Sequence, residues 1–240
     1  MNFKKLKISS ILIASIIFTG CSQKNTNQMI NDNQRAIIGT TIGAITGVIL
    51  GNNIGAGSKS RNKTIGAVTG AAIGGYIGYR MDQQAKEIAA SLDTNVDNSN
   101  SAVLDPNKDI IVSHTENYVK IMFRDDMMFA TNQATPTQSA IEKIQKVNSV
   151  LEKYPKTLVQ VVGHTDSRGS YEYNKNLSEQ RATNVGNQIF NSGIQNDIFS
   201  KGCSYDKPVA PNTSESNMAL NRRVEIYLYP TANVVIDTCK

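Results

Sequence analysis

The stretch LVQVVGHTDSRGSYEYNKNLSEQRATNV, residues 158–185, decides how this chain is read. Leu158 to Val162 is a short apolar run rich in β-branched residues, which favours a strand. A polar loop opens at Gly163, and a helix is predicted from about Tyr173 to Asn191, with Ser192-Gly193 as its stop. Asp166 stands just past the strand, and Arg181 stands in the first turns of the helix. An acid and a base so placed can face one pocket. A pocket with one charge of each sign suits a zwitterion such as an amino acid.

Working outward, Ile110 to Val112 and Tyr118 to Phe123 are expected as strands joined by a polar turn. Residues 127–132 follow as a loop. Thr135 is the candidate cap, with Pro136 in the first turn, of a helix whose apolar face is Ile141, Ile144, Val147, Val150 and Leu151. Ile198 to Lys201 is expected as a short strand and Pro208 to Ser216 as a loop. Val224 to Tyr229 closes the domain as a last strand. Strands and helices in this order give an α/β (α+β) domain of two layers, with helices on one face of a mixed sheet.

The GHTD box (Gly163 to Asp166), Gly169, Asn174, Leu177-Ser178, Arg181-Ala182 and Val185 resemble the signature of OmpA-like domains, including the peptidoglycan-associated lipoproteins. The closing run Asn221 to Ile226, NRRVEI, resembles a second signature of that family. The resemblance covers residues 109–230. It implies the two-layer fold, and a ligand, the diaminopimelate of the peptidoglycan stem peptide. Arg181 would pair with a ligand carboxylate through its planar fork, and Asp166 with a ligand ammonium. Asn174 would orient the loop or reach the ligand. The loop from Phe129 to Asn132 would wall the pocket, with Ala130 where the family often has an acid. Thr165 and Arg222 complete the expected peptidoglycan-binding set.

The N-terminus sets an address. Lys4, Lys5 and Lys7 precede an apolar run from Ile8 to Phe18, and residues 1–20 are predicted to be a secretory signal. Phe18-Thr19-Gly20-Cys21 resembles a bacterial lipobox, with phenylalanine in place of the usual leucine. The resemblance implies that Cys21 becomes the first mature residue and carries lipid. Ser22 follows it rather than an inner-membrane-retaining aspartate, so the implied location is the outer membrane with the domain facing the periplasm. Without the three signal lysines, the 25 basic residues fall to 22 against 20 acidic ones, which is no nucleic-acid footprint. Of the three cysteines, Cys203 and Cys239 then remain in an oxidising compartment. A disulfide between them and a pair of free thiols both fit.

Residues 21–35 read as a polar tether. From 36 to 92 the chain carries a glycine ladder: Gly39, Gly43, Gly47, Gly51 and Gly55, then Gly66, Gly70, Gly74 and Gly78, each four apart. Helical glycine costs up to about 1 kcal/mol against alanine. Stripes that let two backbones approach closely would offset that cost. The segment resembles the glycine zippers of other envelope lipoproteins. A membrane-associated hairpin, a self-association surface and a soluble packed hairpin all fit it. Residues 93–108 are expected as a linker, and 231–240 as a tail. Neither a carboxylate pair nor a cluster of metal ligands stands out, so no catalytic residue, cofactor or metal is expected. The expected function is noncovalent tethering of the outer membrane to peptidoglycan. A membrane-associated oligomer or pore driven by the glycine ladder is the alternative.

Overall fold

The computed structural model describes residues 77–240. Cys21 and the expected hairpin up to residue 76 lie outside the described residues. Among the described residues, no helix is long and apolar enough to cross a membrane.

Five strands form one sheet: β1 (Ile110–His114), β2 (Val119–Arg124), β3 (Leu158–His164), β4 (Ile198–Gly202) and β5 (Arg223–Tyr229). Their order is β1-β2-β5-β3-β4. Only β3 and β4 run parallel; the other neighbours are antiparallel. The helices are α1 (residues 77–91), α2 (Asp125–Met128), α3 (Gln138–Leu151), α4 (Tyr171–Phe190) and α5 (Glu215–Asn221).

Alternation along the strands sorts the side chains between two faces. Val224, Ile226 and Leu228 of β5 join Val159, Val161, Ile121 and Phe123 in the main core. Ile144, Val147 and Leu151 of α3 and Ala182, Val185 and Ile189 of α4 cover that face. The mixed sheet with its helices on one face agrees with the expected fold class.

The core reaches further upstream than the expected boundary at residue 109. Met81, Ala85, Ile88, Ala89 and Leu92 are buried in the same core, so α1 is a third helix of this layer. Gln84 bonds to Thr157 at 3.2 Å, and Glu87 accepts from Lys153 at 2.9 Å and Tyr154 at 3.0 Å. A Cβ at Gly78, the last rung of the glycine ladder, would meet nothing within 4 Å.

The opposite face is covered by the two segments expected as linker and tail. Ala102 and Val103 pack on Ile111 and Met122, and Arg124 donates to the Val103 carbonyl at 2.7 Å. Val96 forms a parallel bridge with Val112. The tail lays Val234, Val235 and Cys239 over Val162, Cys203, Tyr227 and Tyr229. A disulfide joins Cys203 to Cys239, and Lys201 holds Asp237 at 2.6 Å. Closing a loop of this length contributes about 3–4 kcal/mol in the chain-entropy model.

Three local expectations change. Thr137, not Thr135, caps α3 by accepting from the Ala140 amide, because Pro136 stays extended and bridges Phe129. Ser170 caps α4, so this helix begins at Tyr171. Part of the expected loop 208–216 instead starts α5, capped by Ser214.

Candidate functional site

Strand register brings three loops to one end of the sheet. His164 lies opposite Arg223, and Arg124 lies opposite Arg223 on the other side. The residues just past β2 and β3 and just before β5 therefore meet: Asp125, Asp166 and Arg222. Together with the first turns of α4 they line a cleft of about 480 Å³. Of the expected residues, Asp166, Arg181, Asn174, Thr165, Asn132 and Arg222 all line it. Asn132 does so at a positive φ of 59°, where asparagine is among the better tolerated residues.

Phe129 lies elsewhere. It is buried beneath the cleft, with the Arg181 guanidinium 4.8 Å above its ring centroid. It supports the arginine rather than walling the cleft; Thr131 and Asn132 form that wall.

Asp166 and Arg181 share the cleft, but each is paired elsewhere. Arg181 meets Asp125 at 2.7 Å and donates Nε to the Gln133 carbonyl at 3.0 Å. Helical side chains slant toward the N-terminus, so this guanidinium returns toward the cleft from nearly three turns inside α4. Asp166 accepts from the Arg168 amide at 3.0 Å, from Arg168 Nε and Nη2 at 3.1 and 2.7 Å, and from Arg222 at 2.9 Å. Burial alone would raise the Asp166 carboxyl, but these donors outweigh it and hold it below its usual value. Burial dominates at Asp125 and pushes its carboxyl up to about 6, although Arg181 and Arg222 oppose the rise.

Asn174 Nδ2 donates to the Arg168 carbonyl at 2.7 Å, which fixes the loop turned by Gly169 at φ +88°. Thr165 is buried, and its hydroxyl has no hydrogen-bond partner among the described residues. Arg222 also reaches Glu215 at 3.2 Å. Asp125, Arg168 and Glu215 were not expected as site residues. Asp125 and Asp126 read as a solvated turn, yet Asp125 is buried. Adjacency in sequence hid the difference: both open α2 and line the cleft, but only Asp125 is buried against Arg181.

His164 is 1% exposed, beneath the site, with Nε2 3.5 Å from Glu225. Burial and Arg223 lower its pKa against the pull of Glu225. That is a structural role. Among the described residues there is no cluster of three or more metal-ligating side chains.

The OmpA family matches residues 128–222, a span that takes in all of this cleft's α4 wall and Arg222. A YMGG-like Gly-zipper matches residues 1–82. The probable lipoprotein YiaD of Escherichia coli (strain K12) is 33% identical over 122 residues, 50% of this chain and 56% of that protein. The outer membrane porin F of Pseudomonas fluorescens is 34% identical over 101 residues, 42% of this chain and 31% of that protein. The chain thus spans about half of the first relative and about a third of the second. Among solved structures, a putative MotB-like protein from Desulfovibrio vulgaris superposes with a TM-score of 0.54 at 19% identity, over 67% of this chain and 97% of that one. At that identity the likeness concerns the fold. OmpA-family domains are peptidoglycan-binding domains of lipoproteins and outer-membrane proteins.

Proposed function

We propose that the OmpA-family domain binds peptidoglycan noncovalently through diaminopimelate, and that lipid on Cys21 ties it to the outer membrane. The observation that carries the reading is the convergence of Asp166 and Arg181 on one cleft without pairing to each other. An amino acid head group has an ammonium and a carboxylate on one carbon, and this floor has a partner for each. Arg181 would take the carboxylate through its fork. Asp166 would take the ammonium. Recognition of this kind needs no bond making, and no group in the cleft is assigned a catalytic part. The likeness to a lipoprotein and to outer-membrane proteins supports the outer-membrane location with the domain in the periplasm.

The test is co-sedimentation of the full chain with purified peptidoglycan sacculi, beside Asp166→Ala and Arg181→Ala. Wild type should pellet, and each folded variant should lose at least about tenfold in affinity, because each leaves a buried charge unpaired. Wild-type protein that stays in the supernatant would sink the proposal.

The Gly-zipper match favours a second activity in the same chain, self-association or membrane association through residues 36–76. Deleting those residues spares α1. The deletion should abolish oligomers on cross-linking and leave sacculus binding intact.

A further inference from the structure

One oxygen of the carboxylate assigned to the ligand ammonium is already crowded. A carboxylate offers about four lone-pair sites. Asp166 receives four N–H donors: the Arg168 amide on Oδ1, and Arg168 Nε, Arg168 Nη2 and Arg222 Nη1 on Oδ2. Its side chain is only 6% exposed. An incoming ammonium can reach Oδ2, which holds three of these donors against two lone pairs, only if one of them leaves.

The four donors differ in how easily they can go. The Arg168 amide belongs to a turn pinned by Asn174 and Gly169. Arg222 is 17% exposed and is also held by Glu215. The Arg168 side chain is 55% exposed. Its remaining guanidinium nitrogen donates to Glu215 at 2.9 Å, on a side chain 65% exposed. Swinging outward, Arg168 can keep Glu215 and water, and it withdraws two of the three donors on Asp166 Oδ2.

We propose that Arg168 is a displaceable latch over the ammonium subsite: its guanidinium holds Asp166 until a ligand ammonium takes its place. This deepens the wall-binding proposal and rests on it. The latch sets a threshold. A lone amine must break an ion pair to gain one. A ligand that also delivers a carboxylate to Arg181 has a second interaction to offset that cost. Arg168 therefore raises selectivity at the expense of affinity. Four carboxylates and three guanidiniums line the cleft. Neutralising Arg168 makes its field more negative and favours an amine further.

Calorimetric titration of the full chain in detergent tests this, with meso-diaminopimelic acid and with pimelic acid, which has the two carboxylates but no amine. Wild type, Arg168→Gln and Arg168→Lys are compared after thermal melts establish folding. Arg168→Gln should bind diaminopimelate about two- to fivefold more tightly, the range of an exposed ion pair. Arg168→Lys, which keeps the charge without the fork, should fall between. Pimelate should show no gain. Unchanged or weaker diaminopimelate binding by Arg168→Gln, or an equal gain for pimelate, overturns the latch while wild-type binding keeps the wall reading. No binding by wild type or variant overturns both. Binding by Arg168→Gln alone supports the latch in its strongest form.

Discussion

At the scale of single residues, the cleft is a set of charges held apart by their own chain. Asp125 is the sharpest case. Its carboxyl is buried against Arg181, and burial raises it from 3.8 to about 6. The folded state then holds a proton that the unfolded state lacks between those values. Its ionisation costs stability above about pH 6, and the cost is relieved as pH falls through 6 toward 4. Asp125→Asn removes this dependence. In urea melts from pH 7 to 4.5, stability should shift in favour of wild type over the variant by on the order of 2 kcal/mol. A gap that stays constant with pH would contradict the assignment. Asp166 has the opposite sign. Held low by Arg168 and Arg222, it contributes stability that is present at neutral pH and lost as pH falls through its folded value. Sequence made Asp166 and Arg181 legible because their spacing straddles a strand end and a helix start. Asp125 was not legible, because nothing local separates it from Asp126.

At the scale of elements, the site depends on how closely α4 lies on β3 and β4. Gly163 and Gly202 are register partners on these parallel strands. A Cβ at Gly163 would run into the Ser178 carbonyl, and one at Gly202 into the Glu179 amide. The first residue of the GHTD box is thus a glycine for packing, while Asp166, three places on, serves the cleft. Gly163→Ala should cost about 3 kcal/mol, since backbone cannot move aside as a side chain can. It should also weaken sacculus binding by displacing Asn174 and Arg181. Retained stability and binding would show that α4 has more slack than the contact implies. The strands and the α4 stop at Gly193 were readable from alternation and glycine placement. The cap at Thr137 was not, because the rule for proline at the first helical turn pointed to Thr135. The bridge from Pro136 to Phe129 keeps the proline out of the helix.

At the scale of the whole molecule, segments read as connectors complete the core. Burial of Met81, Ile88 and Leu92 contributes about 5 kcal/mol before the entropy of ordering α1 offsets part of it. A fragment starting at residue 94 should therefore melt well below one starting at residue 77. It should also bind hydrophobic dye where the longer fragment does not. Equal melting of the two would place α1 outside the cooperative unit. The sequence by itself determined the order of the five strands and the two long helices α3 and α4, and the two charges offered to a ligand. All of these are written in periodicity and short-range spacing. Only the tertiary structure decided that each charge pairs with a different neighbour, that Arg168 covers Asp166, and that residues 77–108 and 231–240 belong to the domain. Those outcomes depend on the antiparallel register of β5 with β2 and β3, which joins residues 59 to 109 positions apart, and on which sheet surface is left for a passing segment to cover. No local pattern records either.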